Sequence, residues 1–270
     1  MGARTRVATG ADAGTIVQLF RAGFEPELIE MVHYGSHTAD RYVRANIEGA
    51  GGRSSSVYTV TEAEGEILGA CEFRRRSDRV FLNYIAVGEH SRGRGVARAL
   101  LTQSLRLFID AVSPDATFSL DVFTHNLIAR EWYGRLGLRP VEAYEWYRIA
   151  DPGALDRLSP GPASPYYVTG IAQADIVHKH LGFSEFSVET PEGHVYSVGR
   201  LGAKWFRLTS ADGSIDPGLI ALLRELDPAR GLFFIARPPQ DNRKWPSILT
   251  GQRIEGRLRV VLCRLDSADA

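Results

Sequence analysis

Two arginines and two glycines alternate at residues 92–95, immediately before an Ala- and Leu-rich run with helical spacing. A helix N-terminus leaves its first backbone N–H groups unpaired and carries partial positive charge. Glycine lets the backbone approach a ligand closely, and the arginines add full charge. The stretch EHSRGRGVARALL (89–101) therefore predicts an anion site, most naturally for a phosphate or pyrophosphate, although an ordinary Gly-rich turn would share this composition.

Two other phosphate-binding motifs do not fit this stretch. A P-loop requires a Gly-Lys-Ser/Thr ending, and the first lysine of the chain is Lys179. A dinucleotide-binding fingerprint requires Gly or Ala at its sixth position, where this chain has Arg98.

The residues around the loop form two motifs in order. Arg92, Gly95 and Ala97 follow the strand-like run FLNYIAV and match the pattern Arg or Gln, two residues, Gly, one residue, then Gly or Ala. About thirty residues later, the run LDVFTHNLIAREWYGRLGLRP contains Asn126 and Tyr133. The pair resembles the acyl-CoA signature and the second motif of the GNAT superfamily of N-acyltransferases, over about residues 4–150.

The resemblance implies acetyl-CoA (coenzyme A) as the cofactor and assigns residues to it. The strand before the loop would splay from its neighbour and pair its backbone with pantetheine, as in β-augmentation. Asn126 would bind pantetheine or water, with a helix N-cap as its structural alternative. The cofactor-binding residues implied are Ile85, Ala86, Val87, Arg92, Gly93, Arg94, Gly95, Val96, Ala97, Arg98 and Asn126.

The resemblance also places Tyr133 as the general acid, because a phenol is protonated at neutral pH and can donate to a departing thiolate. The backbone N–H of about Val87 would polarise the thioester carbonyl. Neither cysteine, Cys71 or Cys263, lies in the matched motifs. We therefore expect direct attack of a neutral amine on the thioester, with no acyl-enzyme.

The sequence offers several candidates for the general base. Glu72 in GACEFRR is the first candidate, followed by Asp121 and His125, and Asn83 and Tyr84 are placed to order water. Water alone is a further alternative.

Two histidines before the second predicted helix have metal-like spacing. His33 and His37 are four apart, but Gly35 and Ser36 interrupt a helix between them, so we predict no metal site. With Tyr34 and Glu30, they are candidates for shaping acceptor binding.

Composition excludes several classes of function. The 270 residues carry 32 basic and 32 acidic side chains, so no general attraction to nucleic acid or an anionic membrane is expected. Two cysteines without CxxC spacing favour a reducing cytoplasm. No secretory signal or membrane-spanning run is visible. The preference for Arg over Lys suggests a bacterial source.

The predicted element order is α-α-β-β-β-α-β-α-β up to residue 150, followed by a Pro/Gly-rich linker at 151–165 and a second region at 166–270. We predict an α/β protein whose first domain, 1–150, has the GNAT fold, with a mostly antiparallel mixed sheet splayed at the cofactor site. The second is a smaller α+β domain without a CoA motif, and it could be a degenerate GNAT-like half. Its RLRVVLCRL run (257–265) is predicted as a strand.

The predicted function is an N-acetyltransferase that moves an acetyl group from acetyl-CoA to a primary amine on a small molecule or peptide. The alternative is a non-catalytic module of the same fold that senses acyl-CoA or binds a partner. Either a monomer or a homodimer is compatible with the sequence.

Overall fold

The fold is described from a computed structural model of the chain. It describes residues 3–49, 56–76, 78–107, 109, 112–113, 115–149, 165–210, 216–237 and 247–267. The chain forms two compact units. The first consists of residues 1–25, 40–142 and 252–270, and the second of residues 26–39 and 143–251.

The first unit is built on strands whose bounds follow the sequence closely. The predicted strands at 56–63, 79–87 and 117–123 are confirmed with the same bounds. The strands of this part of the chain are β1 (Arg4–Val7), β2 (Ser56–Ala63), β3 (Glu66–Arg75), β4 (Arg79–Val87), β5 (Thr117–Phe123) and β6 (Arg139–Ile149). The helices are α1 (Ala13–Arg21), α2 (Pro26–Ile29), α3 (Ala39–Ile47), α4 (Val96–Arg106) and α5 (Leu127–Arg135).

The sheet of the first unit runs in the order β1-β2-β3-β4-β5. Its first three pairings are antiparallel, and β4 and β5 are parallel because α4 connects them. Leu100, Leu101 and Leu105 of α4 pack on Phe118 and Leu120 of β5, all nearly inaccessible to solvent. This core holds α4 in place, and with it the N-terminal end that follows the glycine-rich loop.

Asp12 precedes α1, but its side chain does not cap that helix. A 3₁₀ turn, Gly10–Asp12, precedes the helix, and the Asp12 carboxylate accepts hydrogen bonds from the backbone N–H of Thr9 and from Arg6, each 2.7 Å long. The Arg6 guanidinium holds the pKa of Asp12 at about 2. Asp12 thus joins α1 to β1 through a side-chain pair that the sequence pattern does not show.

The second unit repeats the succession of elements of the first. Its further elements are β7 (Tyr167–Thr169), α6 (Ile171–Leu181), β8 (Phe183–Glu189), β9 (Val195–Leu201), β10 (Trp205–Ser210), α7 (Pro217–Leu226) and β11 (Gly231–Ala236). Its sheet order is β7-β8-β9-β10-β11-β6, with β10 and β11 parallel and the other pairings antiparallel. A GNAT-like second half is therefore confirmed.

The end of the chain contradicts the sequence prediction. Residues 257–265 were expected as a strand, but a strand β12 (Ser247–Arg257) ends there and a helix α8 (Leu258–Ser267) follows. Paired β-branched residues such as Val260 and Val261 favour a strand locally. The spacing of Leu258, Val261 and Leu265 instead places these three side chains on one helical face, where all are buried. Tertiary packing overrides the local propensity.

Helix α8 belongs to the core of the first unit, although it follows the second half in sequence. Its buried face joins the cluster that contains Leu101, Leu105 and Tyr133. At its last turn, the Arg98 guanidinium donates to the carbonyl of Leu265, with an Nε–O distance of 2.9 Å. This cation satisfies carbonyl groups that a helix C-terminus leaves unpaired.

The predicted linker 151–165 lies, except for Pro165, outside the described residues. The two-domain division at 1–150 and 166–270 remains a prediction. The compact units take segments from both regions, because 26–39 belongs to the second unit and 252–270 to the first. No helix within the described ranges is both long and apolar enough to cross a bilayer.

We expect Leu258→Ala to lower the free energy of unfolding by about 2–5 kcal/mol, because it leaves a cavity in the core of the first unit. Urea denaturation followed by fluorescence would measure it. Val260→Ala, on the part-exposed side of the same helix, is the matched control and should change stability far less. Equal effects of the two substitutions would contradict the assignment of α8 to this core.

Candidate functional site

The parallel ladder between β4 and β5 ends halfway along β4. It pairs Arg79–Leu82 with residues 117–120 and stops at the pair Leu82–Leu120. Within the described residues, the remainder of β4 pairs on its other side with β3 only. The half-buried segment Ile85–Val87 therefore presents one backbone edge to a gap in the sheet. This confirms the expected splay and provides an edge to which an extended ligand could add.

A β-bulge lies where the strands separate. In the β3–β4 ladder, Glu72 pairs with Tyr84 and Phe73 with Leu82, so Asn83 has no partner residue. A bulge bends its strand and increases the local twist. The extra residue also aims its side chain, because Asn83 Nδ2 donates to Glu72 Oε2 at 2.7 Å. The bulge therefore shapes the gap and orients a buried carboxylate beside it.

The loop after β4 brings an uncapped helix N-terminus to the same gap. Gly93 and Gly95 have φ values of 71° and 75°, and a Cβ at either would have no heavy atom within 4 Å. These glycines are therefore required by backbone conformation rather than by lack of space. The N-cap residue Gly95 has no side chain to accept a hydrogen bond from the first turn of α4, and residues 92–95 are exposed. The arrangement can hold an anion through backbone N–H groups.

The three arginines of the loop have different surroundings. Arg92 Nε donates to the carbonyl of Val87 at 3.3 Å, and its side chain is exposed. Among the described residues, the Arg94 side chain has no hydrogen-bond or ion-pair partner. The Arg98 guanidinium, in contrast, is held by Leu265 of α8. Arg92 and Arg94 are thus the side chains that can turn toward an anion, whereas Arg98 offers its backbone.

Tyr133 lies on α5 and points into the core of the first unit, where it is 4% exposed. Burial, with a smaller contribution from Cys71, raises the pKa of the Tyr133 hydroxyl well above its usual range. The hydroxyl is therefore protonated at neutral pH and can donate a proton or a hydrogen bond. Burial also raises the pKa of the Cys71 thiol, so this cysteine is not a thiolate nucleophile.

Asn126 caps α5. Its Oδ1 accepts a hydrogen bond from the backbone N–H of Ala129 at 3.1 Å. The helix N-cap role, expected as the structural alternative for Asn126, is thus observed. The exposed residue keeps its Nδ2 group as a donor for a further partner.

Glu72 is a fully buried carboxylate at 0% exposure. Ser56 Oγ donates to its Oε1 and Asn83 Nδ2 to its Oε2, both at 2.7 Å. Its neighbours across the sheet are Tyr58 and Tyr84. Glu72 is thus a buried carboxylate that accepts hydrogen bonds from a hydroxyl and an amide, and it is the carboxylate nearest the bulge in register.

The other two candidate bases have partners of their own. Both oxygens of Asp121 accept from Arg253, at 2.8 and 3.0 Å. His125 Nε2 lies 3.6 Å from Glu25 Oε1. Asp121 is therefore engaged by the Arg253 guanidinium, and His125 lies beside a carboxylate.

His33 and His37 do not share an environment. His33 is buried against Tyr34 and Phe183, at ring distances of 4.2 and 5.9 Å, whereas His37 is exposed. In the part of the chain that the structure describes, no three His, Cys, Asp or Glu side chains come together as metal ligands would.

Among the described residues of the second unit, neither a gap between the parallel strands nor an uncapped helix N-terminus is found at the equivalent position. Strands β10 and β11 pair along six positions, from Trp205–Gly231 to Ser210–Ala236, so they do not splay. The N-terminus of α7 is capped by Asp216, whose Oδ1 accepts from the N–H of Gly218 at 2.8 Å. The Tyr166 hydroxyl donates to Asp216 Oδ2 at 2.9 Å. Burial, together with the Asp216 carboxylate, raises the pKa of Tyr166 to about 12. A carboxylate of the chain itself occupies the anion position.

Sequence reasoning missed four contacts of the site. Ser56 reaches Glu72 from β2, and Asn83 reaches it through a bulge that has no sequence signature. Cys71 lies near Tyr133 in the core, and Arg98 binds a segment 167 residues away. The apolar residues on both sides of Glu72 indicate a buried strand, and this pattern was the sequence signal that Glu72 needs hydrogen-bond partners.

Comparisons with known proteins agree with this geometry. The family model described as the acetyltransferase (GNAT) family matches residues 17–138. A tandem GNAT protein from the clavulanic acid biosynthesis pathway is similar in fold, with a TM-score of 0.60 and 11% identity over 95% of this chain and 99% of that one. A GCN5-related N-acetyltransferase from Sphaerobacter thermophilus gives a TM-score of 0.58 and 15% identity over 95% and 96%. Among curated proteins, no sequence matches.

The structural similarities extend over both halves, whereas the family match lies in the first half. Residues 17–138 therefore match the GNAT acetyltransferase family model, and over 95% of the chain the fold is similar to that of solved GNAT proteins.

Proposed function

We propose that this protein is an acyl-CoA-dependent N-acyltransferase that transfers an acetyl group to a primary amine. The observation that carries the proposal is the uncapped N-terminus of α4 beside the unpaired edge of β4. The helix N-terminus suits a pyrophosphate, and the strand edge suits an extended amide-bearing arm. The first motif match falls on the loop between β4 and α4, and the second falls on β5 and α5. Acetyl-CoA is the ligand whose parts fit this order.

The residues present fit such a ligand. The backbone N–H groups from Gly93 to Ala97 would bind phosphate oxygens, with the Arg92 and Arg94 side chains exposed beside them. The N–H of Arg92 itself donates to the carbonyl of Glu89 at 3.2 Å. The backbone of Ile85, Ala86 and Val87 would pair with the pantetheine arm, and Asn126 would donate from Nδ2. Acetyl-CoA, when bound there, supplies an acyl group activated as a thioester.

The remaining chemistry is assigned to side chains of the first unit. An ordinary alkylamine has a pKa of about 10.4, so it must lose a proton to attack at neutral pH. Glu72 would accept that proton through water ordered by Asn83 and Tyr84. Tyr133 would hold the proton for the leaving sulfur, and the N–H of Val87 would stabilise the developing oxyanion.

Direct transfer, without an acyl-enzyme, is supported by the state of the cysteines. Cys71 is buried with a raised thiol pKa, and Cys263 is exposed on α8, outside the matched motifs. Two free cysteines also support our proposal of a cytoplasmic location. The capped α7 and the fully paired β10–β11 ladder support a single acyl-CoA site per chain.

We expect Gly95→Glu to abolish acetyl-CoA binding, because it forces a side chain into a left-handed backbone conformation and places a negative charge at the phosphate position. Calorimetry on the wild type should give one site per chain. Gly193→Glu is a matched control, since Gly193 also has positive φ and open space but lies in the β8–β9 turn. Unchanged binding in Gly95→Glu would overturn the cofactor assignment.

Tyr133→Phe should lower kcat by about 10²–10⁴-fold, the usual contribution of a general acid, while the Kd for acetyl-CoA stays within about twofold. Phenylalanine preserves the packing in the core, so the loss isolates the hydroxyl. Steady-state CoA release and calorimetry measure the two quantities. A parallel loss of affinity and turnover would assign Tyr133 a packing role.

Glu72→Gln should reduce kcat/KM by about 10²–10⁴-fold at pH 7, and the deficit should shrink as the pH approaches the pKa of the free amine. At high pH the amine is already neutral and needs no base. Glu66→Gln, at the exposed start of β3, is the control. Full activity of Glu72→Gln at pH 7 would show that water alone removes the proton.

A protein that binds acetyl-CoA but releases no CoA with any amine would instead be the acyl-CoA-sensing module. The buried hydroxyl of Tyr133 and the oriented carboxylate of Glu72 favour turnover.

A further inference from the structure

Aromatic side chains surround the gap on the face of the sheet opposite α4 and α5. Along a strand, successive side chains point to opposite faces. Cys71, Leu82 and Leu120 point into the core beneath α4 and α5. Ile85 and Val122 pack in the same core, so the adjacent Tyr84 and Phe123 face the other side. The bulge at Asn83 shifts the alternation between Leu82 and Tyr84. We name this set the aromatic rim: Phe20, Phe24, Tyr84, Phe123 and His125.

The rim has one part on each side of the gap. On the β4 side, the ring of Tyr84 lies 5.5 Å from Phe20 and 5.5 Å from Phe24, the latter edge-on at 66°. On the β5 side, Phe123 stacks on His125 at 5.6 Å with the rings 11° apart. The gap between β4 and β5 separates these two parts.

A carboxylate joins the two parts of the rim. Glu25 follows Phe24 directly after α1, and its Oε1 lies 3.6 Å from His125 Nε2. Phe24, Tyr84 and Phe123 are half-buried, whereas Glu25 and His125 are exposed. The rim therefore presents aromatic surface and a carboxylate to a ligand that approaches the gap from this face. Glu72 lies beneath, directly across the ladder from Tyr84.

These groups recognise a particular kind of amine. Aromatic faces attract an ammonium group and pack on apolar carbon, and a carboxylate at the rim adds an attraction for positive charge. A heavily hydroxylated amine would lose water on this surface without regaining its hydrogen bonds, which is unfavourable. A polyamine would bring charges that the aromatic surface cannot all accommodate.

We propose that the acceptor is an arylalkyl primary amine, with its aromatic body packed on Phe24, Tyr84 and Phe123 and its amino group directed into the gap. This inference rests on the N-acyltransferase function proposed above. The Glu25 carboxylate attracts the cationic form at the entrance. The amine becomes neutral at the gap, where Glu72 is the proton acceptor.

The transfer balances with the groups named. The amine nitrogen bonds to the acetyl carbon as the carbon–sulfur bond breaks. The ammonium first loses one proton to Glu72, which releases it to solvent. As the neutral nitrogen bonds, its second proton passes through water to the unprotonated Glu72, and the sulfur takes the proton of Tyr133. The Tyr133 hydroxyl then regains a proton from Glu72 through solvent, which leaves an N-acetylated amine and free CoA.

The test compares three amines with the full chain and acetyl-CoA: 2-phenylethylamine, spermidine and glucosamine. We expect kcat/KM for 2-phenylethylamine to exceed that of the other two by at least about tenfold, the scale of one aromatic contact and a desolvated polar group. Calorimetry with 2-phenylethylamine and the unliganded protein provides a readout that does not depend on turnover, and binding should be detected.

Phe24→Ala should lower kcat/KM for 2-phenylethylamine by about tenfold, chiefly through KM, because the aromatic contact is lost from substrate and transition state alike. Its Kd for acetyl-CoA should not change. Tyr167→Ala, which removes an exposed ring from the second unit, is the matched control. Tyr84→Leu gives an independent variant that preserves apolar volume.

The outcomes separate the two proposals. Turnover of spermidine or glucosamine at least as fast as that of 2-phenylethylamine, or an unchanged KM in both Phe24→Ala and Tyr84→Leu, would overturn the acceptor assignment and leave the transferase intact. Acetyl-CoA binding with no CoA release for any amine would overturn the transferase itself.

Discussion

The structure depends on where one ladder of hydrogen bonds ends. Strands β4 and β5 stay paired from Arg79 to Leu82 and then separate at the Asn83 bulge. A neighbour paired along the whole of β4 would satisfy the backbone of residues 85–87 and remove the edge that faces the gap. The same bulge directs the Asn83 amide onto Glu72. One extra residue in a strand thus creates both an opening for an extended ligand and the orientation of a buried carboxylate.

The two units show how similar topology gives different chemistry. Both place a helix after the fourth strand of their sheet, and a helix N-terminus always offers unpaired N–H groups. In the first unit, Gly95 precedes the helix and supplies no side chain, so the N–H groups stay available. In the second, Asp216 satisfies them and Tyr166 holds Asp216 in place. A single capping residue therefore decides whether the helix end can receive an anion from solution.

The last helix shows that sequence order and structural unit differ in this protein. Arg98, in the first turn of α4, binds the carbonyl at the end of α8, and Leu258, Val261 and Leu265 fill the core beside it. The helix that follows the glycine-rich loop is thus supported by residues 258–265. Removing a C-terminal segment would act on the first unit, even though the second half of the sequence lies between them.

The sequence by itself determined the strands of the first half and the conformation of the loop. Alternating apolar residues define β2, β4 and β5 whatever their neighbours, and Gly93 and Gly95 are needed because only glycine adopts positive φ there without strain. The N-cap role of Asn126 also follows from local chemistry, since its partner Ala129 is three residues away. Such features rest on interactions within a few residues, so a pattern can reveal them.

Tertiary structure decided what depends on distant residues. The run at 257–265 is strand-like in composition but helical in the fold, because Leu258, Val261 and Leu265 bury together only on a helix against the core of the first unit. The Asn83 bulge, the Glu72 hydrogen bonds and the attachment of Arg98 to Leu265 follow from register and packing between segments 11 to 167 residues apart. A side chain's type records its capacity for hydrogen bonding or burial, and only the folded chain determines which partner it meets.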